Sequence, residues 1–166
     1  MIIAYLEPQA PNHSALWRII QPAMGERGFG DAKVSVHPHG TSFNNEQALR
    51  ILKRGISSRV IDPLSDYLEM GKGELAEILD LDRTTALRRA GKDLPLPTHS
   101  AENVLRVLEL EEMATDTFET QAVALGWLRR PHPMLDGESP LQSAKTSFGT
   151  RKVKDMLVAI KYGGVV

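Results

Sequence analysis

The stretch WLRRPHPMLDGESPLQSAKTSFGTRKVKDMLVAIKYGGVV, residues 127–166, decides the fold because it fixes where two helices end and begin. An apolar run ends at Leu128, and two prolines follow it within five residues. Proline lacks the backbone N–H that a helix needs, and it disfavours helical geometry in the residue before it. The preceding helix should therefore stop at Arg129 or Arg130.

A second helical signal follows in the same stretch. Ser139 can accept hydrogen bonds from free amides at a helix start, and Pro140 has the backbone angle of a first helical position. After Gly149, four apolar residues recur at helical spacing on one stripe, namely Val153, Met156, Leu157 and Ile160. Gly163 and Gly164 should end this last helix. By spacing alone the stretch is a plain helical hairpin, in which Trp127 should be buried.

Two short helices joined by a tight turn are predicted at 74–79 and 83–90, the arrangement of a helix-turn-helix. Ala76 is small where the two helices must cross. Asp80 lies in the turn, where aspartate tolerates a left-handed backbone better than most residues. Asp82 can cap the second helix. Polar and basic residues then remain on or beside its outer face, and they are Arg83, Thr84, Thr85, Arg88, Arg89 and Lys92.

Caps and apolar periodicity predict further helices. One spans 46–54, with Asn44 or Asn45 as its cap, and another starts at Asp62-Pro63 and is closed by Gly71. Two more are expected at 98–113 and 120–128. The acidic end of the third, residues 109–112, should be solvated and frayed because acidic residues oppose the dipole of a helix C-terminus. Strand signals are nearly absent after Asn45, so the predicted fold is all-α.

The first 58 residues form a predicted arm with one short helix, followed by domains at 59–115 and 116–166. Residues 16–20 could form a short helix or strand, and residues 33–37 alternate like a strand. His37 and His39 lack a third ligand within reach, so we predict loop histidines and no metal site.

The composition excludes several classes of protein. A net charge of -1 over 166 residues gives no global positive field, and the absence of cysteine excludes disulfides and thiol catalysis. No apolar run is long enough for a membrane span, and the first residues do not resemble an export signal. We therefore expect a soluble cytoplasmic protein. His132 beside Asp136 could be drawn as an acid–base pair, but an exposed turn explains both residues. No catalytic site and no cofactor are predicted.

The order of these signals resembles the C-terminal domain of Xre/MbcA/ParS-type antitoxins, the partners of RES-domain toxins. The residues that carry the resemblance are Trp127, Leu128, Pro131, Leu135, Gly137, Pro140, Leu141, Gly149, Thr150, Val153, Leu157, Ile160, Tyr162 and Gly163. The predicted helix-turn-helix is similar to the Xre-like domain that precedes it in those antitoxins. One departure is Asp80, since glycine usually fills that turn position.

The resemblance implies an antitoxin that covers the active site of a toxin acting on NAD, either consuming it or transferring ADP-ribose from it. It implies that Arg129 and Arg130 contact the toxin at the rim of a ledge. The ledge itself would be Trp127, Leu128, Pro133, Met134 and Leu135. The residues expected to enter or cover the nucleotide pocket are Met156, Ile160, Tyr162, Gly163, Gly164, Val165 and Val166. A homodimer that also binds operator DNA and represses its own operon is expected. The alternative is a helix-turn-helix regulator without a toxin partner, which dimerises through its last 40 residues.

Overall fold

The computed structural model describes residues 19–20 and 43–163. Within these residues it contains helices and no named strand, which confirms the all-α prediction. The α-helices are α1 (Asn45–Arg54), α2 (Ile61–Tyr67), α3 (Lys72–Ile78), α4 (Arg83–Gly91), α5 (Thr98–Phe118), α6 (Gln121–Arg129), α7 (Pro140–Ser143) and α8 (Ser147–Lys161). Two 3-10 turns, η1 (Ser58–Val60) and η2 (Pro133–Leu135), precede α2 and α7.

The predicted helix caps are present where local chemistry specified them. Asn44 and Gln47 exchange two hydrogen bonds of 2.8 and 2.9 Å at the start of α1, forming a capping box. Ser139 forms the same motif at α7, with Pro140 in the first turn. Thr120, predicted as the first residue of its helix, is the N-cap of α6, which ends at Arg129 as the following prolines predicted. Short-range side-chain chemistry therefore fixes these boundaries.

The predicted entry into α2 is wrong. Asp62 is not its cap, because the chain enters α2 directly from η1, where the Ser57 hydroxyl oxygen accepts from the Arg59 amide at 3.2 Å. Gly71 does not close α2 either, since it is the N-cap of α3. The reversal after α2 instead occurs at Glu69, which has a φ of 51°. A left-handed glutamate is unusual, and its surroundings must hold it there.

Helix α5 is the central element, with 21 residues. It extends to Phe118, beyond the end predicted at residue 113. The prediction of a frayed acidic end is also wrong, because Glu111 is 0% exposed. Apolar side chains from α1, α6 and α8 join those of α5 in one core.

Helix α8 lies along α5 and runs in the same direction. Glu109 and Lys154 form an ion pair with an Oε1–Nζ distance of 2.5 Å, and Asp116 pairs with Lys161 seven residues further along both helices. The partners in each pair are 45 residues apart in sequence. The two pairs therefore define a single parallel register between the helices.

The first residues of the chain are described only at Ile19 and Ile20, which are helical. Ile20 is buried and joins the core. The predicted strand at 33–37 and both histidines, His37 and His39, lie outside the described residues. Among the residues that are described, no helix has the length and apolarity of a membrane span, and no cluster of acidic and histidine side chains is arranged to hold a metal ion.

Candidate functional site

The turn between α3 and α4 has the geometry of a helix-turn-helix. Asp80 adopts the left-handed conformation with a φ of 51°, as its side chain allows. The Leu81 amide donates to the carbonyl of Ala76 at 2.8 Å, and the Leu81 side chain is buried. The Asp82 carboxylate accepts from the Thr85 amide at 2.9 Å, which confirms the predicted cap of α4. The turn thus fixes the start and direction of α4.

The side chains predicted to bind DNA differ in accessibility. Three of them are exposed, namely Thr84, Arg88 and Lys92. Arg89 departs from the prediction, because its Nη1 donates to the carbonyl oxygen of Pro95 at 2.7 Å and so holds the loop after α4. Thr85 is half-buried, and the side chain of Arg83 lies outside the described part of the structure.

Residues 132–138 form a closed turn that displays Pro133 and Met134. The His132 amide donates to the Glu138 carbonyl at 2.9 Å, and the Gly137 amide returns a bond of 3.2 Å to the His132 carbonyl. The His132 Nδ1 accepts from the Met134 amide at 3.2 Å, so the ring serves as a local cap. Asp136 and Gly137 both have positive φ, of 55° and 86°. Closed hydrogen bonding of this kind makes a rigid platform.

Trp127 is only half-buried, in contrast to the burial predicted for it. Its ring lies 5.6 Å from that of Phe118 and 6.2 Å from that of His132, measured between centroids. These contacts fix one side of the indole and leave the other accessible. Leu128 and Leu135 are fully buried and support the turn from inside.

Arg129 contacts another part of the same chain. Its Nη1 donates to the main-chain oxygen of Glu69 at 2.6 Å, and its Nη2 lies 3.2 Å from the Glu69 carboxylate. Arg129 thus joins α6 to the left-handed residue that follows α2, and the rim contact with a toxin stays a prediction. Arg130, Pro133 and Met134 are exposed on the platform.

The residues of α8 and its C-terminal end that were predicted to contact a partner also differ in accessibility. Met156 is 3% exposed and packs in the core, so its predicted entry into a partner's pocket does not fit this structure. Ile160 is half-buried, whereas Tyr162 is 77% exposed and Gly163 is exposed beside it. Gly164, Val165 and Val166 lie outside the described residues.

A buried polar junction between α2 and α5 escaped the sequence analysis. The Tyr67 hydroxyl donates to Glu111 Oε2 at 2.8 Å, and the Thr115 hydroxyl donates to Oε1 at 3.0 Å. Burial raises the pKa of the Glu111 carboxyl, and the hydrogen bonds from Tyr67, Thr115 and Gln121 oppose that rise in part. Burial and the neighbouring carboxylate also raise the pKa of Tyr67. No local pattern pairs Tyr67 with a residue 44 positions away.

The side of α8 opposite its buried stripe was also not predicted from the sequence. We call this side the outer face of α8, and it consists of Phe148, Arg151, Lys152, Asp155, Val158 and Tyr162, all exposed. Phe148 is 81% exposed and Val158 is 48% exposed. The signal was present in the sequence, because these residues recur at helical spacing just as the buried ones do.

Two family models match the chain. Residues 47–109 match the antitoxin Xre-like helix-turn-helix domain, and residues 113–163 match the antitoxin Xre/MbcA/ParS C-terminal toxin-binding domain. The first match contains α2 to α4, and the second contains the 132–138 turn and α8.

Several curated proteins are similar to this chain. A Prs ADP-ribosylating antitoxin from Sphingobium sp. (strain YBL2) is 27% identical over 122 residues, which cover 68% of this chain and 77% of that protein. An antitoxin Xre from Pseudomonas putida KT2440 is 30% identical over 79 residues, or 48% of this chain and 50% of that protein. An antitoxin Xre from Photorhabdus laumondii subsp. laumondii is 22% identical over 114 residues, or 68% of this chain and 77% of that protein.

Proposed function

Because the chain belongs to the Xre/MbcA/ParS antitoxins, whose two domains it carries in order, we propose that it neutralises a RES-domain toxin by covering the toxin's active site. The membership makes it a regulator with a toxin partner and not an enzyme. The RES class of the toxin, and its action on NAD, come from the family resemblance of the sequence. The proposed place of action is the cytoplasm.

The observation that carries the proposal is the group of exposed apolar side chains in the toxin-binding domain. Met134 stands on the rigid 132–138 turn, and Tyr162 stands at the end of α8. Large apolar side chains on a rigid support are typical anchors of protein–protein interfaces, because they lose little conformational freedom on binding.

We assign the residues of this domain to three roles. Trp127, Arg130, Pro133 and Met134 contact the toxin, while Leu128, Leu135 and Met156 hold those residues in place from the core. Ile160, Tyr162, Gly163 and residues 164–166 cover the nucleotide pocket. Arg129 acts through its contact with Glu69, which keeps α6 against α2.

We further propose that the protein is a homodimer in a complex with two toxins and represses its own operon. One helix of this kind binds DNA weakly, and two-fold pairing supplies the second half-site. Thr84 and Arg88 on α4, and Lys92 directly after it, are the exposed side chains that would contact phosphates and base edges. The domain boundaries at 58/59 and 115/116 stay part of the proposal, with α5 continuing across the second.

The test is co-purification of the full chain with the product of the neighbouring toxin gene, followed by NAD consumption with and without this chain. We expect a stoichiometric complex and loss of NAD turnover. A variant lacking residues 161–166 should still fold but restore at least part of the turnover. Unchanged inhibition by that variant would contradict the pocket-covering role of the tail.

The second candidate is a helix-turn-helix regulator without a toxin, favoured by the exposed Arg88 on α4 and the exposed Lys92 that follows it. It predicts tight binding of the isolated chain to its promoter and no complex with any neighbouring gene product. The same co-purification decides between the two candidates.

A further inference from the structure

The outer face of α8 carries large apolar side chains that nothing in the described fold covers. Phe148 stands in the first turn of the helix, and Tyr162 stands just past its last residue. They are separated by fourteen positions, about 21 Å along a helix axis. Val158 lies between them and, with Tyr162, lines a shallow groove of about 140 Å³ that reaches Met113 on α5.

This face lies directly opposite the core. At about 100° per residue, the six residues of the outer face fall within roughly one third of the helix circumference. The buried residues Val153, Met156 and Leu157 occupy the other side. The outer face is therefore a continuous stripe, in which two aromatic side chains flank two cations.

The charges on α8 differ between its flank and its outer face. Lys154 and Lys161 form ion pairs with carboxylates of α5. Arg151 and Lys152 on the outer face have no carboxylate within 4.0 Å among the described residues. Asp155 is the single acid of the face, whose net charge is +1. The face therefore fits a partner whose surface has an acidic patch between two apolar pockets.

Resting on the proposed function, we infer that the outer face of α8 is a docking surface for the toxin, separate from the 132–138 turn and the tail. Phe148 and Tyr162 enter apolar pockets of the toxin, while Arg151 and Lys152 face an acidic patch between those pockets. The face is continuous with the proposed pocket-covering end of α8, because Tyr162 belongs to both. It also lies inside the domain that the toxin-binding family model matches.

A second copy of this chain fits the face less well. A two-fold dimer contact uses the same patch on both copies, so that residue i of one copy contacts residue j of the other, and j contacts i. Each copy would then bring a face of net charge +1, with two cations and one aspartate, against an identical face. Like charges placed together across an interface are unfavourable.

The experiment measures the affinity of full-length variants for the product of the neighbouring toxin gene. Phe148→Ala removes one apolar anchor, and the double variant Arg151→Glu/Lys152→Glu reverses the charge between the anchors. Neither variant touches the turn or the tail. We expect Kd to rise about tenfold for Phe148→Ala and about 100-fold for the double reversal at low salt, where attraction between charges is weakly screened.

Control variants make changes of the same kind, with a single charge reversal, on α1. Leu49→Ala truncates another exposed apolar residue, and Lys53→Glu reverses another exposed lysine. Both should leave Kd within about twofold of the unmodified chain, since surface changes away from an interface are nearly neutral. All variants should keep the melting temperature and helical circular dichroism of the unmodified chain.

The outcomes separate this inference from the proposed function. If the unmodified chain fails to bind the toxin, the proposed function fails and the inference fails with it. If the unmodified chain binds, and the outer-face variants bind equally well, the inference alone is wrong. If the variants change only the oligomeric state of the isolated chain, measured by light scattering, the face belongs to a dimer and the inference is also wrong.

Discussion

Helices α4 and α8 both present cations to solvent, yet they suit different partners. On α4, Arg88 stands with the exposed polar Thr84, and Lys92 follows at the end of the helix. On α8, the cations stand between Phe148 and Tyr162. Phosphates are bound by positive charge and hydrogen-bond donors, whereas binding to a protein surface also gains from the burial of large apolar side chains. The neighbours of a cation therefore indicate its partner better than the cation itself.

The two helices also differ in how they are held. Helix α4 is short, and a local aspartate cap and the bond from Arg89 to Pro95 fix its ends. Helix α8 is held along its length by its buried stripe and by two ion pairs to α5. Changes at α8 should therefore affect the whole fold more than changes at α4, and this difference can be measured.

The largest effect is expected from Gly149→Ala, at the start of α8. An added Cβ would lie 1.8 Å from the carbonyl oxygen of Ser143, and a backbone atom cannot yield cheaply. We expect a loss of about 3 kcal/mol or more in the free energy of unfolding, together with loss of toxin binding. Urea unfolding measures the first, and titration with the toxin measures the second.

Gly126→Ala in α6 is the matched control, since nothing lies within 4 Å of its added Cβ. Alanine is favoured over glycine inside a helix, so this variant should be more stable by about 0.5–1 kcal/mol. Equal destabilisation by both variants would show that the close approach at Gly149 does not matter.

The next effect concerns α4. The double variant Arg88→Glu/Lys92→Glu should weaken promoter DNA binding about 100-fold, because it removes two proposed phosphate contacts. It should leave toxin binding within twofold, because both residues lie in the helix-turn-helix match and outside the toxin-binding match. The slope of log affinity against log salt should fall by about 0.9 for each lost contact. Electrophoretic mobility shift across a salt series measures both. If this variant also lost toxin binding, the proposal that α4 and α8 contact different partners would be wrong.

A smaller effect is expected at the contact between the two domains. Arg129→Ala removes the bonds from Arg129 to the carbonyl and carboxylate of Glu69, which are partly exposed. We expect a loss of about 1 kcal/mol in stability, since solvent weakens such pairs. Arg130→Ala, an exposed neighbour, should leave stability unchanged and is the control in the same thermal melts. Equal stability of both variants would contradict the joining role of Arg129.

The smallest effect is a change in pH dependence at the Tyr67–Glu111 junction. Burial raises the folded-state pKa of Glu111 above its ordinary value of 4.5. The stability that this group contributes is therefore complete below pH 4.5 and is lost as the pH rises through its folded pKa. Glu111→Gln can keep an oxygen that accepts from Tyr67 but has no charge to bury. Relative to this variant, the unmodified protein should lose stability as the pH rises from 4 to 8. Parallel curves of unfolding free energy against pH for the two proteins would contradict this prediction.

Local signals made much of the fold predictable. The Asn44, Asp82 and Ser139 caps act on amides within three residues, and the short side chain of Asp80 tolerates the left-handed backbone of its turn. The same reasoning failed at Glu111, because an acidic run normally marks a solvated end. Its partner Tyr67 is brought near only by the folded chain.

The candidate site was predicted less completely, for a related reason. Helical periodicity identified the apolar stripe that contains Met156. It did not tell whether a partner would contact this stripe or the opposite face of the helix. The stripe proved to be the core, and the opposite face carries the accessible aromatics. Arg89 was predicted on or beside the outer face of α4, and the family resemblance implied a contact with the toxin for Arg129. Both instead donate to backbone carbonyls at sites that only tertiary structure creates.

The shared register of the two ion pairs between α5 and α8 constrains how the last helix can move. A slide of α8 along its neighbour by even one residue would separate Lys154 from Glu109 and Lys161 from Asp116 together. The two ion pairs therefore oppose small displacements of α8 along the axis of α5. Complete detachment of α8 would break the same two ion pairs. The position of Tyr162, one residue beyond α8, is therefore referred to α5 at two points that lie seven residues apart.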